Sequence, residues 1–122
     1  MSQYDFASLG LNTALVDNLE SLGYTEMTPV QAQGLPPILA NKDVIAKAKT
    51  GSGKTATFAL GLLNKLQVKR FRVQTLVLCP TRELADQVSV EIRKLARGIH
   101  NIKVLTLCGG MAFGPQVGSL EH

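Results

Sequence analysis

The 122 residues are enough for one modest globular domain, and a hydrophobic fraction of 45% excludes disordered and fibrous proteins. No apolar run approaches the roughly 20 residues of a membrane span, and the start of the chain lacks the basic and apolar regions of a signal peptide. We therefore expect a cytoplasmic protein. Thirteen basic and nine acidic residues give a net charge of +4, which permits binding to a polyanion without demonstrating it.

The cysteines and histidines show no metal-binding pattern. Cys79 and Cys108 each end a run rich in leucine and β-branched residues, and a lone pair of cysteines implies no disulfide framework. We expect both to be buried, reduced thiols. His100 and His122 have no companion ligand nearby, so we expect no zinc site.

Two helices are predicted in the first third of the chain. Leucines at helical spacing predict an amphipathic helix over residues 12–22. A second helix follows Thr28, a good N-cap, and Gln31 stands three residues after it, as in a capping box. Gly34 and Pro36 suit a helix interior poorly, so we expect this helix to be kinked or broken there.

The next segments alternate between strand and helix patterns. The runs "DVIAKA" (43–48), "QTLVLC" (74–79) and "IKVLTLC" (102–108) are short and apolar enough for buried strands. Between them, "KTATFALGLLNKL" (54–66) predicts a buried helix, and an amphipathic helix follows from Thr81 toward Gly98. This alternation predicts an α/β fold with a parallel, doubly wound sheet.

The stretch "AKTGSGKT", residues 48–55, lies between a predicted strand and a predicted helix and matches the phosphate-binding P-loop, with alanine at the pattern's first glycine. Glycines let successive N–H groups turn inward, and the helix N-terminus favours an anion. The alternative is a plain glycine-rich turn with a solvated lysine, but the flanking strand and helix favour nucleotide binding. The candidate phosphate-binding residues are Thr50, Gly51, Ser52, Gly53, Lys54 and Thr55.

For the other candidate binding residues, a purely structural role explains the spacing at least equally well. Gln31 fits a capping box and Tyr24 a core aromatic, although an amide can pair with adenine and a tyrosine ring can stack on it. Likewise, Thr81 could simply cap a helix and Arg82 be exposed, or both could face phosphate at a strand's carboxyl end.

Taken together, "GYTEMTPVQ", "AKTGSGKT", "PTRELA" and "GG" occur in an order and spacing that resemble the first RecA-like domain of DEAD-box ATP-dependent RNA helicases. The resemblance covers practically the whole chain, and the sequence looks most like the bacterial DbpA subgroup of the family. It implies a RecA-like P-loop NTPase fold with a parallel sheet between helices, incomplete in residues 1–122.

The resemblance also implies residue roles, with ATP and Mg²⁺ as cofactors. Gln31 and Tyr24 look like the pair that selects adenine, with Phe6 as the upstream aromatic nearby. Lys54 and Thr55 look like the catalytic P-loop pair, the lysine on the β- and γ-phosphates and the threonine on Mg²⁺. The residues that resemble the contacts to the RNA sugar-phosphate backbone are Pro80, Thr81, Arg82, Gly109 and Gly110.

Much of the family's pattern is missing. The sequence stops before the PTPGR-type segment, the DEAD box, the SAT motif and the second domain, so no catalytic carboxylate is present. We expect the longer parent to couple ATP hydrolysis to local unwinding of structured or ribosomal RNA, and this chain alone to be inactive. A non-catalytic nucleotide- or RNA-binding module is the alternative; a small P-loop kinase is disfavoured because no lid or second substrate site follows Gly110.

The resemblance further implies that the strand beside "DVIAKA" comes from sequence beyond residue 122. The edge of the sheet would then expose backbone groups and apolar side chains. We expect this edge to be covered by the remainder of the domain or by self-association, and the expected partners are therefore RNA, the rest of the protein and a second copy, but no membrane.

Overall fold

The computed structural model describes residues 4–121 and consists of helices joined by non-helical segments. A short 3₁₀-helix, Phe6–Leu9, precedes five α-helices. These are Thr13–Ser21 (α1), Pro29–Leu39 (α2), Lys54–Lys65 (α3), Arg82–Leu95 (α4) and Phe113–Glu121 (α5). Helix α3 packs against both α2 and α4, and α1 packs against α4. No helix in the described range is long and apolar enough to cross a membrane.

Local signals predicted three helices well. Helix α1 lies within the predicted 12–22, and both α3 and α4 form where the apolar periodicity placed them. Helix α2 starts after Thr28 as predicted and continues without interruption to Leu39, so the break expected at Gly34 and Pro36 does not occur, whereas the kink expected there stays a prediction. Packing on α3 offsets the lost backbone hydrogen bonds, since Leu35, between the two unfavourable residues, is completely buried.

The core is a leucine cluster shared by these helices. Its completely buried side chains come from α1, α2, α3 and α4, and contacts between α1 and α4 join the first and last of these four helices. Burying each leucine stabilises the fold by roughly 1.5–3 kcal/mol. The largest members are Leu15, Leu19, Leu35, Leu60, Leu63 and Leu95.

The predicted parallel sheet does not form in residues 4–121. The segments 43–48, 74–79 and 102–108 have no strand pairing, and an isolated antiparallel bridge joins Asp5 to Glu26 instead. A strand is stable only when a neighbour satisfies its backbone groups, and the described residues supply none at the right place. The prediction of three strands is therefore wrong for the chain as it stands here.

The unpaired segments leave large apolar side chains in solvent. Ile45 is 92% exposed, and Leu76 and Leu78 are 76% and 84% exposed. Asp43, Val44 and Ala46 line one groove of about 910 Å³ together with the segment 74–79 and residues of α3. The two cysteines, expected to be buried, are free thiols that are only half-buried, because no sheet covers them.

Two glycines set the close packing of α2 on α3. A Cβ atom added at Gly61 would overlap Cγ2 of Ile38, and one added at Gly34 would lie 2.8 Å from Cγ2 of Thr57. Both neighbours are β-branched and stiff about χ1, so they cannot easily turn away. The separation of the two helices therefore depends on the missing side chains.

We expect Gly61→Ala to lower the free energy of unfolding by about 1–3 kcal/mol, because the added methyl overpacks the contact with Ile38. Gly118→Ala is the matched control, since it lies in α5 and a Cβ there meets nothing within 4 Å. It should be neutral or slightly stabilising through helix propensity. Urea unfolding followed by circular dichroism measures both, and equal effects of the two substitutions would contradict the packing role.

Candidate functional site

The glycine-rich loop turns sharply just before α3. Gly51 and Gly53 have φ values of +83° and +92°, in the left-handed region that favours glycine. The N–H of Ser52 donates to the carbonyl of Lys49 at 3.1 Å, which closes the turn. Helix α3 begins at the next residue, Lys54, and its first-turn N–H groups have no partner within the helix. The loop thus presents backbone donors at a helix N-terminus.

The amide of Gln31 braces this loop from α2. Its Oε1 accepts from the N–H of Thr28 at 2.8 Å, which is the well-formed half of the predicted capping box. Its Nε2 donates to the carbonyl of Gly53 at 3.3 Å. Gln31 is buried, and a Cβ atom added at Gly53 would overlap its Nε2. Glycine is therefore required at 53 both for the turn and for the approach of α2.

The residues of the loop fit a phosphate group. The hydroxyl of Ser52 is buried and has no hydrogen-bond partner among the described residues. The same is true of the hydroxyl of Thr28, which lies beside Gly53. Space within 4 Å of the Cβ position of Gly51 is empty. An unpartnered hydroxyl and the free backbone donors of a helix N-terminus are groups that hold phosphate oxygens. Lys54 and Thr55 line the groove that runs from the loop along α3.

The two predicted aromatic residues lie in different surroundings. Tyr24 is half-buried against the core, and its hydroxyl accepts a hydrogen bond from Nζ of Lys94 at 2.6 Å. Phe6 is buried in the core, with 4% of its surface exposed. Its N–H donates weakly to the carbonyl of Thr25 at 3.5 Å, which ties the 3₁₀-helix to the segment just after Tyr24. Phe6 thus packs behind that segment.

The start of α4 brings two predicted residues together. Thr81 Oγ1 accepts from the N–H of Leu84 at 3.1 Å and caps the helix, so its structural reading holds. Arg82 is exposed, and a Cβ added at Gly110 would lie 3.3 Å from its Nη1. Gly110 has a φ of +78°. An exposed guanidinium thus lies beside a bare stretch of backbone, near Pro80 and Gly109 in sequence.

Helix α5 was not predicted, and it supplies a residue that holds the glycine pair. Oε1 of Gln116 accepts from the N–H of Cys108 at 2.8 Å, and its Nε2 donates to the carbonyl of Ala112 at 3.0 Å. A sequence containing Gly114, Pro115 and Gly118 gives no clear helical signal. Within residues 4–121, no group of three His, Cys, Asp or Glu side chains is placed to hold a metal ion.

Comparison with known proteins gives one consistent result. The family described as DEAD/DEAH box helicase matches residues 28–122. The ATP-dependent RNA helicase DbpA of Escherichia coli (strain K12) is 62% identical over 112 residues, which are 92% of this chain and 24% of that protein. This chain therefore spans about a quarter of that relative's length.

Solved structures agree in fold. A crystal structure of a DEAD box protein from the hyperthermophile Methanococcus jannaschii matches with a TM-score of 0.88 and 35% identity, over 95% of this chain and 32% of that one. The RNA-helicase Prp28 from Chaetomium thermophilum, bound to ADP, matches with a TM-score of 0.81 and 37% identity, over 95% of this chain and 29% of that one. The backbone thus follows the fold of DEAD-box domains even though no strand pairs form in the described range.

We expect Gly53→Ala to cost more stability than Gly51→Ala. Both force a side chain into the left-handed region, at about 1–2 kcal/mol each. Only the first also displaces the buried amide of Gln31, which adds about 1–3 kcal/mol for unsatisfied polar groups. Urea unfolding of the two variants measures the difference, and equal losses would show that the bracing contact contributes nothing.

Proposed function

The chain belongs to the DEAD/DEAH box helicase family, and on that premise we propose that it forms the ATP-phosphate and adenine half of the nucleotide site, with part of an RNA-binding surface, of an ATP-dependent RNA helicase. The single observation that carries the proposal is the loop at the N-terminus of α3. There, two left-handed glycines lie beside the hydroxyl of Ser52, which is buried and has no partner within residues 4–121, and together they would form a cradle for an anion.

In this proposal the loop holds the β- and γ-phosphates. Backbone N–H groups from Gly51 to Thr55 donate to phosphate oxygens, and Ser52 contributes its hydroxyl. Lys54 places a cation on the β- and γ-phosphates, and Thr50 flanks the loop. The hydroxyl of Thr55 would be a ligand for Mg²⁺, and the bound ion would neutralise charge on the same phosphates.

Gln31 retains the groups needed to select adenine. A glutamine amide has two donors and two acceptor lone pairs, and the structure uses one donor on Gly53 and one lone pair on Thr28. The remaining donor and acceptor complement the N7 acceptor and N6 donor of adenine, and they mismatch guanine. Tyr24 stacks on the base, and Phe6 supports that segment from the core.

The RNA-binding surface in this proposal is the start of α4 together with the glycine pair. Arg82 supplies charge for phosphate, Gly109 and Gly110 let the RNA backbone approach, and Thr81 and Pro80 complete the turn. Contacts of this kind carry no sequence information, so binding is independent of RNA sequence. The target, structured or ribosomal RNA, is then chosen by other parts of the longer protein.

Hydrolysis and unwinding belong to the longer protein. The cradle supplies binding and one cation, whereas activating water requires a carboxylate, and stabilising the transferred phosphoryl group requires arginines supplied opposite the site. We propose that the parent closes on ATP and RNA, parts short duplexes locally and releases RNA after hydrolysis. The 122-residue chain alone binds nucleotide weakly and does not turn it over.

Lys54→Ala tests this proposal. In the 122-residue chain it should abolish binding of Mg²⁺-ADP measured by calorimetry, because the cation that faces the phosphates is lost. In the longer protein it should lower kcat by about a hundredfold or more, since charge develops on those phosphates in the transition state. Lys69→Ala is the matched control, with the same change of charge in the exposed segment after α3.

Two results would contradict the proposal. Unchanged kcat and unchanged KM in the Lys54→Ala variant would remove the phosphate-binding assignment, whereas a raised KM with unchanged kcat would contradict only the role in the transition state. Phosphate release by the 122-residue chain alone, stimulated by RNA, would show that the chain needs no further catalytic group.

A further inference from the structure

A lysine in the last turn of α4 reaches back to the tyrosine that follows α1. Nζ of Lys94 donates to the hydroxyl of Tyr24 at 2.6 Å, across 70 residues of sequence. The same nitrogen is 5.0 Å from the centroid of the ring. A nitrogen this close to the hydroxyl and this far from the centroid lies beyond the hydroxyl end of the ring. The ammonium therefore does not cover the ring face that a base would need.

Lys94 is itself held in place. The side-chain amide of Asn18, buried in α1, donates to the carbonyls of Lys94 at 2.9 Å and of Leu95 at 3.0 Å. The carboxylate of Glu91 lies 3.7 Å from Nζ. A Cβ added at Gly98 would lie 2.8 Å from the carbonyl of Ala14, so the end of α4 sits tightly against α1. The main chain at Lys94 is therefore held in place against α1.

Tyr24 is fixed at its two ends by different elements. Its N–H donates to the carbonyl of Leu19 at 2.8 Å, which sets the main chain, and Lys94 holds the hydroxyl. The hydrogen bond to Tyr24 raises the pKa of Lys94, and the nearby charge of Glu91 acts in the same direction. The lysine therefore remains a cation at neutral pH and remains a donor to the hydroxyl.

We infer that Lys94 is a positioning residue for Tyr24, which fixes the tyrosine ring before a nucleotide arrives and so strengthens binding of the base. The inference rests on the proposed function, because it assumes that Tyr24 stacks on adenine. A side chain that is already ordered loses no further rotamer freedom on binding, and this is the source of the gain in affinity. Lys94 contacts neither base nor phosphate in this account.

The test compares ADP with inorganic tripolyphosphate, which binds the phosphate loop but has no base. Calorimetry measures both, with Mg²⁺, on the 122-residue chain and its Lys94→Met variant. We expect Lys94→Met to weaken ADP binding by about three- to tenfold, as the cost of ordering one side chain predicts, and to leave tripolyphosphate binding unchanged. A purely structural loss would weaken both ligands alike.

Companion variants control for folding and for charge. Lys94→Arg retains a cationic donor and should restore ADP binding, whereas Glu91→Gln removes the ion pair but leaves the hydrogen bond and should have little effect. Tyr24→Phe removes only the hydroxyl and should reproduce the selective loss. It also tests the contact from the other side if Lys94→Met does not fold.

The outcomes distinguish the positioning role of Lys94 from the proposed nucleotide-binding function. Selective weakening of ADP by Lys94→Met or Tyr24→Phe, with rescue by Lys94→Arg, supports the positioning role. Unchanged ADP binding in both variants, or equal weakening of ADP and tripolyphosphate, overturns it and leaves the proposed function intact. Failure of the unaltered chain to bind either ligand overturns the proposed function and this inference together.

Discussion

The candidate site depends on one partly buried contact, the hydrogen bond from the amide of Gln31 to the carbonyl of Gly53. It joins the N-terminus of α2 to the turn that begins α3. The close packing of these helices at Gly34 and Gly61 sets the distance over which the amide must reach. Because packed helices transmit small displacements, the shape of the loop is fixed largely by the core beneath it. The proposed phosphate cradle thus depends on helix packing as much as on a local motif.

Apolar surface remains uncovered along the groove over α3. Segments 43–48 and 74–79 expose apolar side chains along a groove over α3, and Lys54 lies at that groove. Unpaired backbone and exposed apolar surface are costs that a stable protein covers with another segment or another chain. The site therefore combines a well-packed half, from α2 and α3, with a half that lacks its neighbours. This is why we expect weak nucleotide binding from the chain alone.

The sequence predicted the features that depend on residues close together in the chain, and it did not predict those that depend on distant ones. Helices α1, α3 and α4, the cap at Thr28 and the glycine turn before Lys54 depend on neighbours a few residues away, and local pattern identified them. The predicted strands did not form within the described residues because a strand needs a paired neighbour, and apolar composition alone does not create a ladder. Helix α2 is not broken at Pro36, because tertiary packing overrides the local preference for a break.

Local sequence patterns could not predict the contacts that assemble the candidate site. Gln31 and Gly53 are 22 residues apart, and neither a capping box nor a P-loop pattern says that they meet. The approach of Arg82 to Gly110 and the reach of Lys94 to Tyr24 likewise depend on how α4 packs. The family resemblance implied roles for these residues except Lys94, whereas the structure shows which of them are in contact. Helix α5, with two glycines and a proline, had no signal strong enough to predict it.

The central claim is that a loop braced by α2 binds the phosphates of an adenine nucleotide, and a titration of the ¹⁵N-labelled chain with Mg²⁺-ADP followed by NMR tests it most directly. We predict that the backbone amides of residues 51–55 and the side-chain amide of Gln31 shift together, with one binding curve. Shifts confined to other residues, or loop shifts that leave the side-chain amide of Gln31 unmoved, would contradict the account.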